Sequence, residues 1–150
     1  AALYADLPEW EAKMDPGLVR FLEQGKQLTA VEYVEATFKR TALWERVRRF
    51  FQTYDLLLTP TTAVPPFLVG IEAPREIAGQ SVSWAGWTPF TYPFNATGNP
   101  AASIPCGFTR EGMPAGLQII GRHEDEATVI AASAAFEQAR PWAQHRPPVH

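Results

Sequence analysis

The chain has 150 residues, of which 46% are hydrophobic and 19% charged, and its 13 Lys and Arg against 16 Asp and Glu give a net charge of −3. This length and balance are typical of one globular segment with an ordinary hydrophobic core, and they exclude collagen-like, coiled-coil and disordered chains. The sequence lacks a patch rich in Lys and Arg, which is the feature that would indicate nucleic acid or an anionic lipid surface as a partner. We therefore expect the chain to bind neither nucleic acid nor a membrane.

Cysteine and histidine usage bounds the chemistry further. The single cysteine, Cys106, excludes an internal disulfide, and the three histidines do not form a metal-ligand cluster with it. We expect Cys106 to be a buried structural thiol, because it follows a strand-like run without a nearby cationic residue. The chain shows no signal peptide and no membrane span, which favours a cytoplasmic location, and it lacks an initiator Met, which suggests a fragment. We expect neither a cofactor nor a metal.

Two helices are predicted in the first third of the chain. An Asp-Pro pair at residues 15–16 is a start signal for a short helix near Gly17 to Gln24. Thr29 and Glu32 form a capping box, in which each side chain satisfies a backbone donor at a helix start. Apolar residues then recur every three to four positions, so we expect a long helix from about Ala30 to Gln52.

The middle and end of the chain predict strands and one more helix. An apolar run from Tyr54 to Pro60 ends at a proline and predicts a buried strand. Ala101 to Phe108 and Gly116 to Gly121 predict two more strands, and an Ala-rich helix follows from Asp125 to Ala139. The fold class is therefore α/β, with N-terminal helices, a small mixed sheet and a C-terminal helix.

One long run has no charged residue. It extends over 33 residues, from Ile77 to Thr109, and it is punctuated by prolines and glycines that break regular structure. Its aromatic residues are Trp84, Trp87, Phe90, Tyr92, Phe94 and Phe108. Because loops are normally polar, this run indicates a large ligand cavity, a surface covered by other protein, or a buried loop of this chain alone.

No catalytic residue is identifiable from spacing. The serines lie outside a Gly-x-Ser-x-Gly elbow, and no base is indicated beside them. The histidines lack ligand spacing, and no glycine-rich loop opens a helix as phosphate binding requires. The residues alone therefore predict a hydrophobic pocket wall without catalytic machinery.

Three ordered blocks, spread across about half of the chain, carry a family resemblance. They are residues 54–62 (YDLLLTPTT), residues 90–108 (FTYPFNATGNPAASIPCGF), and residues 112–122 (GMPAGLQIIGR) with 125–128 (DEAT). These blocks resemble the C-terminal part of the amidase signature family. The resemblance implies an α/β/α fold around a mixed sheet and hydrolysis of amide C–N bonds.

The resemblance also implies that the catalytic residues lie elsewhere. The family uses a Ser, a second Ser with a cis peptide, and a Lys, around a Gly/Ser-rich stretch that this sequence does not contain. We therefore expect a missing N-terminal amidase segment to supply this triad and the chain alone to be inactive. As a single segment, the chain divides into a helical part (residues 1–53), a sheet and pocket part (54–140) and a Pro-rich tail (141–150).

The resemblance places the substrate-binding candidates in the uncharged run. They are Trp84, Trp87, Thr88 and Phe90. Family members that act on glutamine carry an Asp shortly before the Phe-Thr pair, where Thr88 stands here. That difference favours an uncharged, aromatic small-molecule amide as the substrate. For Trp84 and Trp87, packing against missing protein is an equal alternative to substrate contact.

Two other functions remain open from the sequence. One is a non-catalytic module that binds a ligand or partner through its aromatic surface. The other is a fragment of an ammonia-generating amidotransferase subunit, which Thr88 disfavours. The sequence also leaves open a homo-oligomer.

Overall fold

The computed structural model describes residues 8–146. This part of the chain divides into two compact units, one extending to Lys39 and the other beginning at Arg40. The expectations about a signal peptide and about the last four residues of the Pro-rich tail lie outside the described residues. None of the helices in residues 8–146 is long and apolar enough to cross a bilayer.

Both helices predicted for the first third of the chain are present. Helix α1 spans Pro16–Gly25, and the Asp15 carboxylate caps it by accepting a 3.0 Å hydrogen bond from the Leu18 N–H. Helix α2 spans Ala30–Phe50. At its start, the Glu32 carboxylate accepts from the Thr29 N–H at 2.8 Å, and the Thr29 hydroxyl accepts from the Glu32 N–H at 3.2 Å. The capping box is thus confirmed, and it fixes where α2 begins.

A short 3-10 helix, Glu11–Lys13, precedes α1, and after α2 the described residues form two sheets and two helices. They are β1 (Leu57–Pro60), β2 (Glu76–Ile77), β3 (Gln80–Ser81), α3 (Tyr92–Thr97), β4 (Ala101–Phe108), β5 (Pro114–Ile120) and α4 (Glu126–Ala139). The main sheet has the order β1-β5-β4, and β2 pairs with β3 in a separate hairpin. The α/β class and the C-terminal helix agree with the sequence prediction.

The main sheet corrects one detail of that prediction. A mixed sheet was expected, but every strand pair in the described residues is antiparallel. The reason is the strand order: β5 lies between β1 and β4 and runs opposite to both, so these two parallel strands never pair. The first strand also begins at Leu57 rather than Tyr54, because the Tyr54 ring stacks on Phe50 at 4.6 Å in the turn that follows α2.

A bulge interrupts β4. Pro105 pairs with Gly116, and the next paired residue is Gly107, which faces Ala115. Cys106 is therefore the extra residue, and its Sγ lies 3.4 Å from the Ala115 carbonyl oxygen. The expectation of a buried thiol is wrong: Cys106 is exposed, because a bulged residue leaves the in-and-out alternation of its strand.

Apolar residues pack on both faces of β5. Because consecutive strand residues point to opposite faces, Ile119 and Ile120 enter different clusters. Ile119 packs with Ile104 and Val129 under α4, whereas Ile120 packs with Phe51 and Phe94 on the other face. Trp142, in the Pro-rich tail, contacts the cluster under α4. These two clusters fix the central strand from which the functional site is built.

Candidate functional site

An uncharged groove opens where β5 begins and the chain leaves β1. Its volume is about 590 Å³. Its lining residues are Thr61, Thr62, Val64, Pro65, Pro66, Phe67, Trp87, Ser103, Ile104, Pro105, Pro114, Ala115 and Gly116. None of these side chains titrates near neutral pH, so the groove suits an uncharged group and rejects an unpaired charge, which loses its hydration there.

Two aromatic rings form one wall of the groove. The Phe67 and Trp87 centroids lie 5.3 Å apart with an interplanar angle of 89°. This edge-to-face arrangement is a favourable aromatic geometry. The Ala63 N–H donates to the Trp87 carbonyl at 3.0 Å, which joins the segment after β1 to the turn carrying Trp87. Ring and backbone contacts therefore hold the wall together.

Thr88 is half-buried and its polar groups are engaged in its own turn. Its hydroxyl donates to the Ala85 carbonyl at 2.9 Å. Its carbonyl accepts from the Thr91 hydroxyl at 3.0 Å and from the Thr91 N–H at 3.2 Å. In this conformation Thr88 shapes the turn that leads into α3.

Phe90 is anchored to the central strand through its backbone. The Gln118 side chain donates from Nε2 to the Phe90 carbonyl at 2.8 Å and to the Thr59 hydroxyl at 2.9 Å. Gln118 is buried, so it presents its amide to these two partners rather than to water. Through Gln118, the loop containing Trp87 is tied to β1 and β5.

The structure therefore separates the four residues singled out by sequence. Trp87 lines the groove, whereas Thr88 and Phe90 position the segment beside it. Trp84 is 43% exposed and is not among the groove-lining residues.

Sequence reasoning missed most of the groove. No sequence pattern assigned Phe67, the adjacent Pro65-Pro66 pair or Ser103 on β4 to a binding site. A second uncharged run, from Leu56 to Ile71, was the available clue. The run can be assigned to the groove only once the fold places it beside Trp87.

A second cavity, of about 390 Å³, has a cationic lining. It is lined by Trp44, Arg48, Phe51, Gln52, Asn99, Arg122 and His123. Its guanidinium groups already have carboxylate partners: Arg48 binds Glu45 through two contacts of 2.7 and 2.9 Å, and Arg122 binds Asp55 at 2.7 Å. These ion pairs balance the positive charge, so this cavity is a weaker candidate site than the groove.

The lining of the groove holds no general base. A hydroxyl nucleophile requires a neighbouring base, and no His, Lys, Asp or Glu is among the lining residues. Within residues 8–146, no group of three or more His, Cys, Asp or Glu side chains is placed to hold a metal ion. The lining of the groove therefore consists of uncharged side chains without a general base.

Known proteins are similar to this chain over most of its length. The family model described as Amidase matches residues 9–130. An acylamidase of Rhodococcus erythropolis is 37% identical over 147 residues, covering 95% of this chain and 31% of the acylamidase. The A subunit of glutamyl-tRNA(Gln) amidotransferase from Bacillus cytotoxicus is 41% identical over 109 residues, covering 71% of this chain and 21% of that protein.

A solved structure has the same arrangement of elements. A bacterial aryl acylamidase belonging to the amidase signature enzymes superposes with a TM-score of 0.77 at 35% identity, covering 93% of this chain and 30% of that protein. The chain thus spans less than a third of the length of the relatives described here. Because the family model matches most of the chain and the solved structure shares its fold, the chain belongs to the amidase signature family.

Proposed function

We propose that the protein carrying this chain hydrolyses the C–N bond of an amide with water, giving a carboxylic acid and ammonia or an amine. In this proposal the chain contributes a wall of the substrate pocket. The observation that carries the proposal is the uncharged groove walled by Phe67 and Trp87 in a member of this family. Acylamidase and aryl acylamidase among its relatives support the same reaction class.

The catalytic residues come from a region outside this chain. The groove has no base, and the sequence lacks the Gly/Ser-rich stretch that the family resemblance requires. The acylamidase of Rhodococcus erythropolis is about three times as long as the part that matches, which leaves room for such a region. The chain by itself is then inactive, and its first partner is the amidase segment that supplies the Ser-Ser-Lys triad.

The substrate is an uncharged amide with an aromatic or other apolar group. Such a group gains from contact with the Trp87 and Phe67 rings, whereas a charged group would lose hydration in a lining without counter-charges. Thr88, whose hydroxyl is bonded to Ala85, offers no carboxylate for an amino group. The four residues proposed from sequence then have different roles. Trp87 contacts the substrate, Thr88 and Phe90 position the segment beside it, and Trp84 lies at the periphery.

An amidotransferase function is the second candidate, because one relative, at 41% identity, is the A subunit of an amidotransferase. It predicts glutamine as the ammonia source. The uncharged groove disfavours glutamine, because its α-ammonium and α-carboxylate groups are charged. A non-catalytic ligand-binding module is the third candidate, and it predicts ligand binding without turnover. We also propose a cytoplasmic location for the protein. A homo-oligomer is compatible with this function, and we expect neither nucleic acid nor a membrane as a partner.

Ammonia release by the full-length protein tests these candidates. Purified protein is assayed with benzamide and, separately, with glutamine, and the isolated 150-residue chain serves as the catalytically silent control. We expect kcat/KM for benzamide to exceed that for glutamine by at least about tenfold, the ratio that a difference of about 1.4 kcal/mol gives. Preferential glutamine turnover would favour the amidotransferase, and binding without turnover would favour the module.

A further inference from the structure

Two hydroxyl groups of the groove lining meet across the central strand. The Thr61 Oγ1 and Ser103 Oγ atoms lie 2.7 Å apart, although they belong to chain segments on opposite sides of β5. The Thr61 N–H donates to the Gly116 carbonyl at 3.0 Å, so Thr61 extends the pairing of β1 with β5. Two strands that flank a third lie about 9.5 Å apart. Short side chains on them can meet only where the middle strand has no side chain between them.

Gly116 provides that gap. A Cβ atom at this position would lie 2.8 Å from Thr61 Oγ1 and 3.1 Å from Ser103 Oγ. Both distances are shorter than ordinary contacts, so any side chain at 116 would push the hydroxyls apart. The arrangement of Thr61, Ser103 and Gly116 thus depends on all three residues.

The pair retains a hydrogen-bond donor that faces the groove. One hydroxyl donates to the other, which uses one of the two O–H hydrogens. The second hydrogen has no acceptor among residues 8–146. By contrast, the neighbouring Thr62 hydroxyl donates to the Val64 carbonyl at 2.9 Å. The donor belongs to an otherwise largely apolar surface, so a ligand that carries an acceptor there gains a hydrogen bond that a hydrocarbon ligand lacks.

We propose that the Thr61–Ser103 pair is a specificity determinant that recognises an uncharged hydrogen-bond acceptor, such as an ether or nitro oxygen, on the apolar group of the amide substrate. This inference rests on the proposed amidase function. The pair distinguishes an oxygen-bearing apolar group from a hydrocarbon group of the same size. Its role is in substrate selection and not in bond cleavage.

The test compares two amides of nearly equal size, 4-methoxybenzamide and 4-ethylbenzamide. In the full-length protein we expect kcat/KM to favour the methoxy compound by about three- to tenfold, the range of one neutral hydrogen bond. The double variant Thr61→Val/Ser103→Ala removes both hydroxyls and should bring the ratio toward one, whereas either single substitution leaves the remaining hydroxyl with a free hydrogen. Gly116→Ala, which keeps both hydroxyls but separates them, should also reduce the ratio.

Ser133→Ala is the control, because it removes a serine hydroxyl from α4 outside the groove and should preserve the ratio. A ratio that the double variant Thr61→Val/Ser103→Ala leaves unchanged overturns the inference. If the protein hydrolyses neither amide, the proposed function fails, and calorimetric binding of the two amides decides about the pair. Tighter binding of the methoxy compound that the double variant Thr61→Val/Ser103→Ala abolishes supports the pair, whereas equal affinities or no binding overturn it.

Discussion

Gln118 and Phe90 connect the buried centre of the sheet to the loop that carries the groove wall. The Gln118 Nε2 atom lies 2.8 Å from the Phe90 carbonyl oxygen, and Gln118 is only 4% exposed. The same amide donates to the Thr59 hydroxyl at 2.9 Å. One side chain therefore holds three separate segments in register, which makes the groove dependent on a residue that does not line it.

Replacing Gln118 with Leu should lower the free energy of unfolding by about 1–3 kcal/mol. The substitution keeps an apolar stem but leaves the half-buried Phe90 carbonyl without its donor, and an unsatisfied buried acceptor carries a cost of that size. Urea denaturation of the variant measures the change. Gln138→Leu, at an exposed position of α4, is the control and should change stability by less than about 0.5 kcal/mol. A Gln118→Leu variant as stable as this control would contradict the anchoring role.

Trp87→Ala should raise KM for an aromatic amide by about three- to tenfold. The reason is the loss of one aromatic contact in the groove, since such contacts contribute about 0.5–1.5 kcal/mol. Trp84→Ala is the matched control, because Trp84 lies outside the groove lining. Steady-state kinetics of the full-length protein measure both variants. An equal effect at Trp84 would show that the groove is not where the aromatic group binds.

Gly121→Ala should destabilise the fold by about 1–3 kcal/mol through overpacking. Gly121 is buried, and a Cβ there would lie 2.6 Å from the Val129 Cγ2 atom and 3.3 Å from the Asp125 carbonyl oxygen. Thermal or urea denaturation gives the magnitude. Val129→Ala alone creates a cavity, but it should cost less in the Gly121→Ala background because it removes the clash. Strictly additive effects of the two substitutions would contradict this packing.

Stability should depend on pH through Glu45. The Glu45 carboxylate accepts hydrogen bonds from Arg48 and Arg49, which lower its pKa from 4.5 to about 2. Because the folded state binds this proton less tightly than the unfolded state, the stabilisation is complete above about pH 4.5 and is lost as pH falls toward 2. The stability difference between the wild type and Glu45→Gln should therefore shrink over that interval. Glu137→Gln is the control, and a Glu45→Gln difference that stays constant down to about pH 2.5 would be inconsistent with the shift.

Local signals account for what the sequence predicted well. The Thr29–Glu32 box and the Asp15 cap join residues three positions apart, so their geometry follows from adjacent sequence. The start of α4 obeys the same rule, since Asp125 caps it by accepting from the Thr128 N–H at 3.3 Å. The family resemblance, carried by the three sequence blocks, was confirmed by the family model and the solved structure.

Long-range relationships account for what the sequence did not predict. The β2–β3 hairpin turns at Ala78 and Gly79, both with positive φ, but Ala-Gly lacks the usual Asn-Gly or Asp-Gly signal. Strand order decides that the sheet is antiparallel, and apolar runs carry no information on order. The Thr61–Ser103 contact joins residues 42 positions apart, so it becomes visible only once Gly116 lies between them.

Photo-crosslinking locates the bound amide directly. Full-length protein is irradiated with a diazirine-bearing benzamide, and the adducts are mapped by peptide mass spectrometry with and without excess benzamide. We expect benzamide-sensitive adducts on Trp87 or on residues 61–67, the two segments that the Phe67–Trp87 contact brings together. Adducts confined to peptides outside the groove, or insensitive to benzamide, would contradict the assignment of this groove as the substrate pocket.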